Sequence, residues 1–393
     1  MTPAARVAAA IVVLDDIAGG RSAEQALSGW ARNSRFAGSK DRAALRDLVF
    51  DAQRKRGSCA ALGGAPHGRG LMIGLGVQSG WDMPAIFSGE GHAPAPLTAD
   101  EQAVVANPPA LQPWEQHDVP AWIWDHLSKM HGAAKAGEIA MALRARAPLY
   151  LRVNTRKGTA EEAAALLTNE GIETAAHPDV AGCLQVMTNP RRVKNAAAYA
   201  DGVVEIQDAA SQMAVARLGV PAGARVLDYC AGGGGKALAI ADRFACDVAA
   251  HDIAPGRMRD IAPRAARAGV DIAVLTPEDL TDAREFDVVV VDAPCSGSGT
   301  WRRNPEAKWA LTPEALDEFH ALQSEVIAQA AWHVGPGGML AYMTCSIFQA
   351  ENAQVVQGFV QHHPTWTAEP AMTLWPGPQS DGFFLQILRP TSG

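Results

Sequence analysis

From Arg225 onward the chain alternates between short apolar runs and longer amphipathic stretches, and this alternation limits the fold more than any other feature. Residues 226–229, 247–251, 272–275, 286–291 and 339–343 read as strands. Residues 236–244, 257–268 and a long piece within 314–333 read as helices. Strands that alternate with helices form a mostly parallel sheet covered on both faces. The predicted class is therefore α/β, doubly wound. The unbroken valines at 288–291 suit a strand buried on both faces. In such a sheet ligands bind beyond the carboxyl ends of the strands, so the residues just after each run are the ones to read for chemistry.

The first such loop is Asp228-Tyr229-Cys230-Ala231-Gly232-Gly233-Gly234-Gly235-Lys236. Its glycines let the backbone approach a ligand and leave helix N-terminal amides free. Three cofactor readings compete. A P-loop needs Gly, four residues, then Gly-Lys-Ser/Thr; it fails twice, at Cys230 and at Ala237. A dinucleotide fingerprint fits Gly232 and Gly234 and then meets Ala237. An S-adenosylmethionine loop also fits, with Lys236 placed to meet the cofactor carboxylate. Asp252, at the end of the second strand, can accept ribose hydroxyls in either surviving reading. After the third strand, Glu278 or Asp279 can meet the adenine amine.

Two further strand-end loops carry cysteines, in Asp292-Ala293-Pro294-Cys295-Ser296-Gly297 and Thr344-Cys345-Ser346. Both thiols are expected at the same crevice as the glycine loop. A thiolate is strongly nucleophilic and a good leaving group. It suits addition to carbon 6 of cytosine, which activates carbon 5 toward a methyl donor. Afterwards the carbon 5 proton goes to a base and the thiol is expelled. Hydride transfer needs none of this, so a dinucleotide-dependent oxidoreductase would leave both cysteine motifs idle. A non-catalytic RNA-binding factor would leave them idle too.

Upstream, apolar residues recur at helical spacing from 4 to about 62, broken at Gly19-Gly20 and Gly38-Ser39. A stretch rich in Gly, Pro and Ala over 63–113 reads as a linker, with an apolar piece near 71–77. Helical periodicity resumes over 122–130 and 133–143. Residues 149–154, 159–170 and 183–187 read as strand, helix and strand, the helix opening on the capping-box pair Thr159 and Glu162. The expected organisation is a helical domain over 1–145, a small α+β subdomain over 146–215 and the doubly wound domain over 216–393.

At 393 residues with 48% hydrophobic and 19% charged residues, the chain can bury two or three cores. No apolar run reaches membrane-spanning length, and the first ten residues lack a secretory layout. A cytoplasmic location is expected, with no membrane partner. The six cysteines are scattered without C-x-x-C pairs, so neither a disulfide scaffold nor a metal site is expected. The net charge of −8 opposes nucleic-acid binding, but it is unevenly spread. Residues 1–70 hold eleven Lys and Arg against six Asp and Glu, and basic clusters recur at Arg144/Arg146, Arg152/Arg156/Lys157, Arg191/Arg192/Lys194 and Arg302/Arg303/Lys308. Together they read as a discontinuous track for RNA phosphates.

Residues 292–299 (Asp-Ala-Pro-Cys-Ser-Gly-Ser-Gly), followed by 302–309 (Arg-Arg-Asn-Pro-Glu-Ala-Lys-Trp), resemble the signature of the NOL1/NOP2/Sun RNA (cytosine-5)-methyltransferases. Thr344-Cys345-Ser346 with Glu351-Asn352 downstream is similar to that family's second cysteine motif. Residues 207–212 and Asp381-Gly382-Phe383-Phe384 match as well, so the resemblance runs from about 149 to 389. Residues 1–62 more loosely resemble the NusB-like RNA-binding domain of the bacterial Sun/RsmB branch. The resemblance implies a Rossmann-like class I methyltransferase fold using S-adenosylmethionine. It implies an RNA substrate, ribosomal RNA of the 16S type ahead of transfer RNA; a monomer is expected. It assigns the covalent nucleophile to Cys345 and product release to Cys295, and places Asp292 at the target base and cofactor. Cofactor contacts fall to Cys230, Ala231, Gly232, Gly233, Gly234, Gly235, Lys236, Asp252, Glu278 and Asp292. Arg302, Arg303 and Lys308, beside Trp301, would hold neighbouring nucleotides by phosphate contact and stacking, with core packing the other reading of Trp301. The usual family loop reads Cys-Ala-Ala-Pro-Gly-Gly-Lys-Thr. Gly232, Gly233 and Ala237 depart from it, and the added glycine is expected to weaken cofactor affinity, because binding must order the loop.

Overall fold

The computed structural model describes residues 1–280 and 286–391, so residues 281–285 and the last two residues of the expected third domain lie outside the described part. The chain divides into two compact units. Ala147–Thr300 with Leu311–Gly393 makes one, and Met1–Arg146 with Trp301–Ala310 makes the other.

Twelve strands belong to the first of these units, among the described residues: β1 (Leu149–Val153), β2 (Thr174–Ala176), β3 (Cys183–Val186), β4 (Val204–Ile206), β5 (Arg225–Asp228), β6 (Asp247–His251), β7 (Ile272–Leu275), β8 (Phe286–Asp292), β9 (Val334–Thr344), β10 (Trp366–Ala368), β11 (Met372–Leu374) and β12 (Phe383–Pro390). The main sheet runs β7-β6-β5-β8-β9-β12-β10, with β11 on β12. Pairing is parallel from β7 through β9, and β12 is antiparallel to β9. Strand order reverses between β5 and β8, which places the switch point of the sheet between the glycine loop and the Cys295 loop. The alternating register sorts the strands onto two buried faces. Val226, Val288, Val290, Ala341 and Met343 pack with the helix Gly235–Arg243 on one side. Leu227, Val289, Val291, Leu340 and Tyr342 pack on the other, against residues such as Ile327 and Phe359.

A separate antiparallel sheet, β2-β3-β1-β4, accounts for the small α+β segment. The helix Ala160–Asn169 covers it, starting at the expected capping box, in which Thr159 and Glu162 cap each other. Its core of Leu151, Val153, Leu167 and Leu184 is distinct from that of the main sheet, although both sheets fall in one compact unit.

The other unit is helical, and it corrects one expectation. The stretch read as a linker holds the helix Gly68–Ser79, whose Leu71, Met72, Ile73 and Leu75 are core residues. Glycine misled the reading because here it serves contact rather than flexibility. A Cβ on Gly74 would lie 2.0 Å from the Cys59 carbonyl oxygen, so only glycine lets this helix meet Arg56–Leu62 backbone to backbone. Shorter helices follow at Met83–Ile86, Ala99–Ala106 and Pro113–Gln116. The helix Ala121–Arg144 breaks at Gly132, where φ is 77°, which matches the two separate helical stretches read from the sequence.

The second correction concerns 301–310. This segment follows the Cys295 loop in sequence but is part of the helical unit. Arg54 Nε donates to the Arg302 carbonyl at 2.9 Å, Lys308 Nζ donates to the Arg54 carbonyl at 3.2 Å, and Trp309 Nε1 donates to the Gln53 carbonyl at 2.8 Å. Trp301, Arg302 and Lys308 are buried. Burial pushes the Lys308 ammonium down to about 7, with the Asp118 charge opposing that shift. Such a lysine costs the fold most when charged: its contribution is intact above its ordinary 10.5 and is lost as pH falls through about 7. Lys308→Met should therefore flatten the pH dependence of stability between pH 7 and 10, as measured by urea titration at several pH values.

Candidate active site

The expected cofactor loop lies between β5 and the helix Gly235–Arg243, at the switch point of the sheet. Gly232 and Gly234 take φ of +50° and +78°, a region that side chains strain to enter, and a Cβ on Gly234 would lie 2.8 Å from Ile261 Cγ1. The loop is fastened from outside. The Gly232 amide donates to Asp252 Oδ2 at 2.9 Å, the Ala237 amide donates to Asp228 Oδ2 at 3.0 Å, and Arg264 Nη1 donates to the Gly233 carbonyl. The looseness expected from the extra glycine is thus opposed by an arginine clamp that sequence reasoning did not identify.

Two cavities open along the carboxyl ends of the strands. One, of about 610 Å³, is lined by residues 230–233, Lys236, Asp292, Cys295 and Cys345 among others. The other, of about 530 Å³, is lined by His251, Asp252, Ile253, Pro277 and Leu280 among others. They share Cys230, Arg257 and Pro294. Asp252 is buried, pairs with Arg257 at 3.1 Å and caps the Ala254 amide at 3.0 Å. Glu278 is exposed in the turn after β7 and does not line the cavity. Its neighbours Pro277 and Leu280 do.

Cys295 and Cys345 come together: their sulfurs are 3.5 Å apart. The Ala293 amide donates to the Met343 carbonyl at 2.9 Å, and the Gly299 amide donates to the Cys345 carbonyl at 2.8 Å, so the two loops are stitched along their backbones. The hydrogen bond with Cys345 and then burial push the Cys295 thiol well above its ordinary value; the charges of Cys345 and Glu351 add to this.

Lys236 and Asp292 form an ion pair on the floor of the same cavity, and the Lys236 ammonium also sits 5.0 Å from the Phe383 ring centroid. Burial opposes its charge, yet Asp292 and then Cys345 and Asp228 hold it protonated. Lys236 thus joins the cysteine side of the site as much as the cofactor loop.

Asp228 is fully enclosed and lines this cavity. Burial first, then Asp292, raises its carboxyl to about 7. Its Oδ1 has no hydrogen-bond partner. A raised carboxylate stabilises the fold in its neutral form: the contribution is full below the ordinary 3.8 and is lost as pH rises through about 7. Asp228→Asn should therefore gain melting temperature relative to the native chain as pH goes from 5 to 8, and little at pH 4.

The expected RNA contacts fare differently. Arg303 is exposed, whereas Arg302 and Lys308 are buried in the helical unit. Lys308 donates to the Arg54 carbonyl there, so the phosphate contact expected of these two is corrected to a structural one. Trp301 is buried, in line with the core-packing reading rather than the stacking one. Sequence reasoning also passed over Glu351 as a site residue, although it stands in the quoted cysteine motif. Among the described residues no group of three or more His, Cys, Asp or Glu is placed to hold a metal, and no helix is long and apolar enough to cross a membrane.

Comparison with known proteins agrees with this geometry. Residues 216–389 match the family described as 16S rRNA methyltransferase RsmB/F, and residues 119–194 match its ferredoxin-like domain. The ribosomal RNA small subunit methyltransferase B of Klebsiella pneumoniae (strain 342) is 35% identical over 261 residues, which cover 63% of this chain and 60% of that protein. The protein of the same name from Vibrio cholerae is 32% identical, covering 68% and 64%. The chain thus spans less than two thirds of the length of these relatives. Among solved structures, PH0851 aligns over 99% of both chains with a TM-score of 0.78 at 23% identity. A methyltransferase homolog from Pyrococcus horikoshii aligns over 71% of this chain and 97% of its own with a TM-score of 0.61, also at 23%. At such identities these two show the fold, a Rossmann-like methyltransferase architecture. With the parallel sheet and glycine loop described above, residues 216–389 and 119–194 carry the catalytic and ferredoxin-like domains of the RsmB/F methyltransferase family.

Proposed function

We propose that this protein is an S-adenosylmethionine-dependent RNA (cytosine-5) methyltransferase acting on small-subunit ribosomal RNA. One observation carries the reading: two thiols 3.5 Å apart share a cavity with a glycine-rich loop, an acidic strand end and a Lys–Asp pair. The residues suit the cofactor. Asp228 offers an enclosed oxygen without a partner, the loop backbone at 232–235 admits close approach, and Asp252 stands at the second strand end for a ribose. When bound, S-adenosylmethionine supplies an electrophilic methyl group on a sulfonium.

In this reading the Cys345 thiolate attacks carbon 6 of a cytosine, in the cavity that also holds Lys236. The base must leave its stack for this, since no side chain reaches carbon 6 within a helix. Asp292 orients the cytosine amino group. Cys295 begins as a thiol, held protonated first by its bond with Cys345. Once Cys345 is bonded to carbon 6 that restraint is gone, and Cys295 can release its proton to solvent. Its sulfur then accepts the carbon 5 proton, the Cys345–carbon 6 bond breaks, and Cys345 leaves as thiolate. The helical unit would bind the RNA flanking the target, with the protein acting as a cytoplasmic monomer.

The test is transfer of label from S-adenosylmethionine into RNA from a strain lacking the protein, followed by nucleoside analysis. Label in 5-methylcytidine of 16S rRNA is the expected result. Label in transfer RNA alone would move the substrate, and no label in any RNA would end the proposal.

A further inference from the structure

Glu351 closes the short turn Gln349–Glu351 and has no exposed surface. Its Oε1 accepts from the Ser296 amide at 2.7 Å and from Gln323 Nε2 at 3.0 Å. Its Oε2 accepts from the hydroxyls of Ser296 and Ser346. Ser296 is the residue after Cys295, and Ser346 is the residue after Cys345. One carboxylate therefore grips both cysteine loops at the same place. The Glu351 carbonyl in turn accepts from Tyr342 Oη at 2.7 Å, on the strand that leads into Cys345.

A buried carboxylate held by neutral donors is an expensive way to join two loops, because an amide of the same shape would avoid the desolvation of a charge. We infer that Glu351 is a positioning residue for the reaction of the two cysteines: by binding Ser296 and Ser346 together it sets the distance at which Cys295 and Cys345 act on one base. The inference rests on the roles assigned to those cysteines above. The charge adds a second effect. Beside the larger influence of Cys345 and of burial, it helps to keep Cys295 as a thiol until Cys345 has been consumed. Asn352 supports the same turn, donating from Nδ2 to the Ser346 carbonyl at 3.0 Å.

The test compares Glu351→Gln, Glu351→Ala and Glu351→Asp with the native chain in two measurements. The first needs neither RNA nor cofactor. The dithiol is exposed to diamide, whose N=N bond takes up the two protons and two electrons lost as the Cys295–Cys345 disulfide forms. Peptide mapping follows the rate of that closure. Glu351→Ala is expected to slow closure on the order of tenfold or more, since the sulfurs are no longer held in reach. The second measurement is the pH profile of product release. Glu351→Gln, which keeps shape and part of the hydrogen bonding, should move the profile to lower pH and reduce kcat with little change in KM for RNA. Glu351→Asp should restore part of both. Closure rates and pH profiles equal to the native ones in every variant would overturn the inference. If Glu351→Ala fails to fold, Glu351→Gln decides by the same two readouts. If the native chain transfers no methyl group yet closure depends on Glu351, the proposed function falls and the positioning role stands. Transfer with closure and pH profile both indifferent to Glu351 means the reverse.

Discussion

Cys345→Ala should abolish methyl transfer, a loss of at least about 10³-fold in turnover, while leaving stability and cofactor binding near native. Cys295→Ala should behave differently. Its Cys345 should still attack the base and carbon 5 of the base should still take the methyl group, after which the reaction stalls and leaves RNA covalently bound through Cys345. Denaturing gels with labelled RNA distinguish the two: a slow-migrating adduct with Cys295→Ala and none with Cys345→Ala. The structural ground for the asymmetry is that the thiols are neighbours in unlike surroundings. Cys345 shares its cavity with Lys236, whose ammonium is held charged against burial by Asp292 and then by Cys345. Cys295 is held as a thiol by its bond to Cys345 and by burial, with the Cys345 and Glu351 charges adding. An adduct that appears with Cys345→Ala instead would reverse the roles, and the double variant should form none in either case.

The second large effect is expected at Gly299. Its amide donates to the Cys345 carbonyl, and its own carbonyl accepts from the Gly382 amide at 3.0 Å. A Cβ placed there would lie 2.3 Å from the Gly382 carbonyl oxygen and 2.7 Å from the carbon bearing it. These are backbone atoms that cannot swing aside as a side chain would. Gly299→Ala should therefore cost roughly 2–4 kcal/mol of stability, measured by urea unfolding. It should also lower methyl transfer on the order of 10²-fold, because the displaced loop carries Cys295 away from Cys345. Gly235→Ala is the control for stability. A Cβ there meets nothing within 4 Å at the start of a helix, and alanine should be neutral or slightly stabilising.

The glycine-rich stretches show how local composition can be read in two ways. At 232–235 glycine marked a ligand loop, and the structure places it at the switch point of the sheet with two residues at positive φ. At 63–113 abundant glycine, proline and alanine read as a linker, but the stretch contains a core helix with Gly74 in backbone contact with a neighbouring helix. Periodicity is hidden there because glycine contributes no apolar side chain to the pattern, while its closeness to a partner is invisible in one dimension. The basic cluster at 302–308 failed for a related reason. Charge in a sequence is read as solvent-facing, yet Arg302 and Lys308 are buried, with Lys308 held by the carbonyl of a residue about 250 positions earlier.

By itself the sequence determined the alternating strands, the switch-point loops and the presence of Cys295, Cys345, Asp292 and Lys236 around one cavity. Those follow from short-range pattern and from the rule that parallel strands aim their carboxyl ends at one edge. Only the tertiary structure decided that the two sulfurs approach within 3.5 Å, that Glu351 joins the residues after both of them, and that 301–310 completes the helical unit. Each of these is a long-range pairing of polar groups out of water, set by where several elements meet, and no local run of residues carries that information.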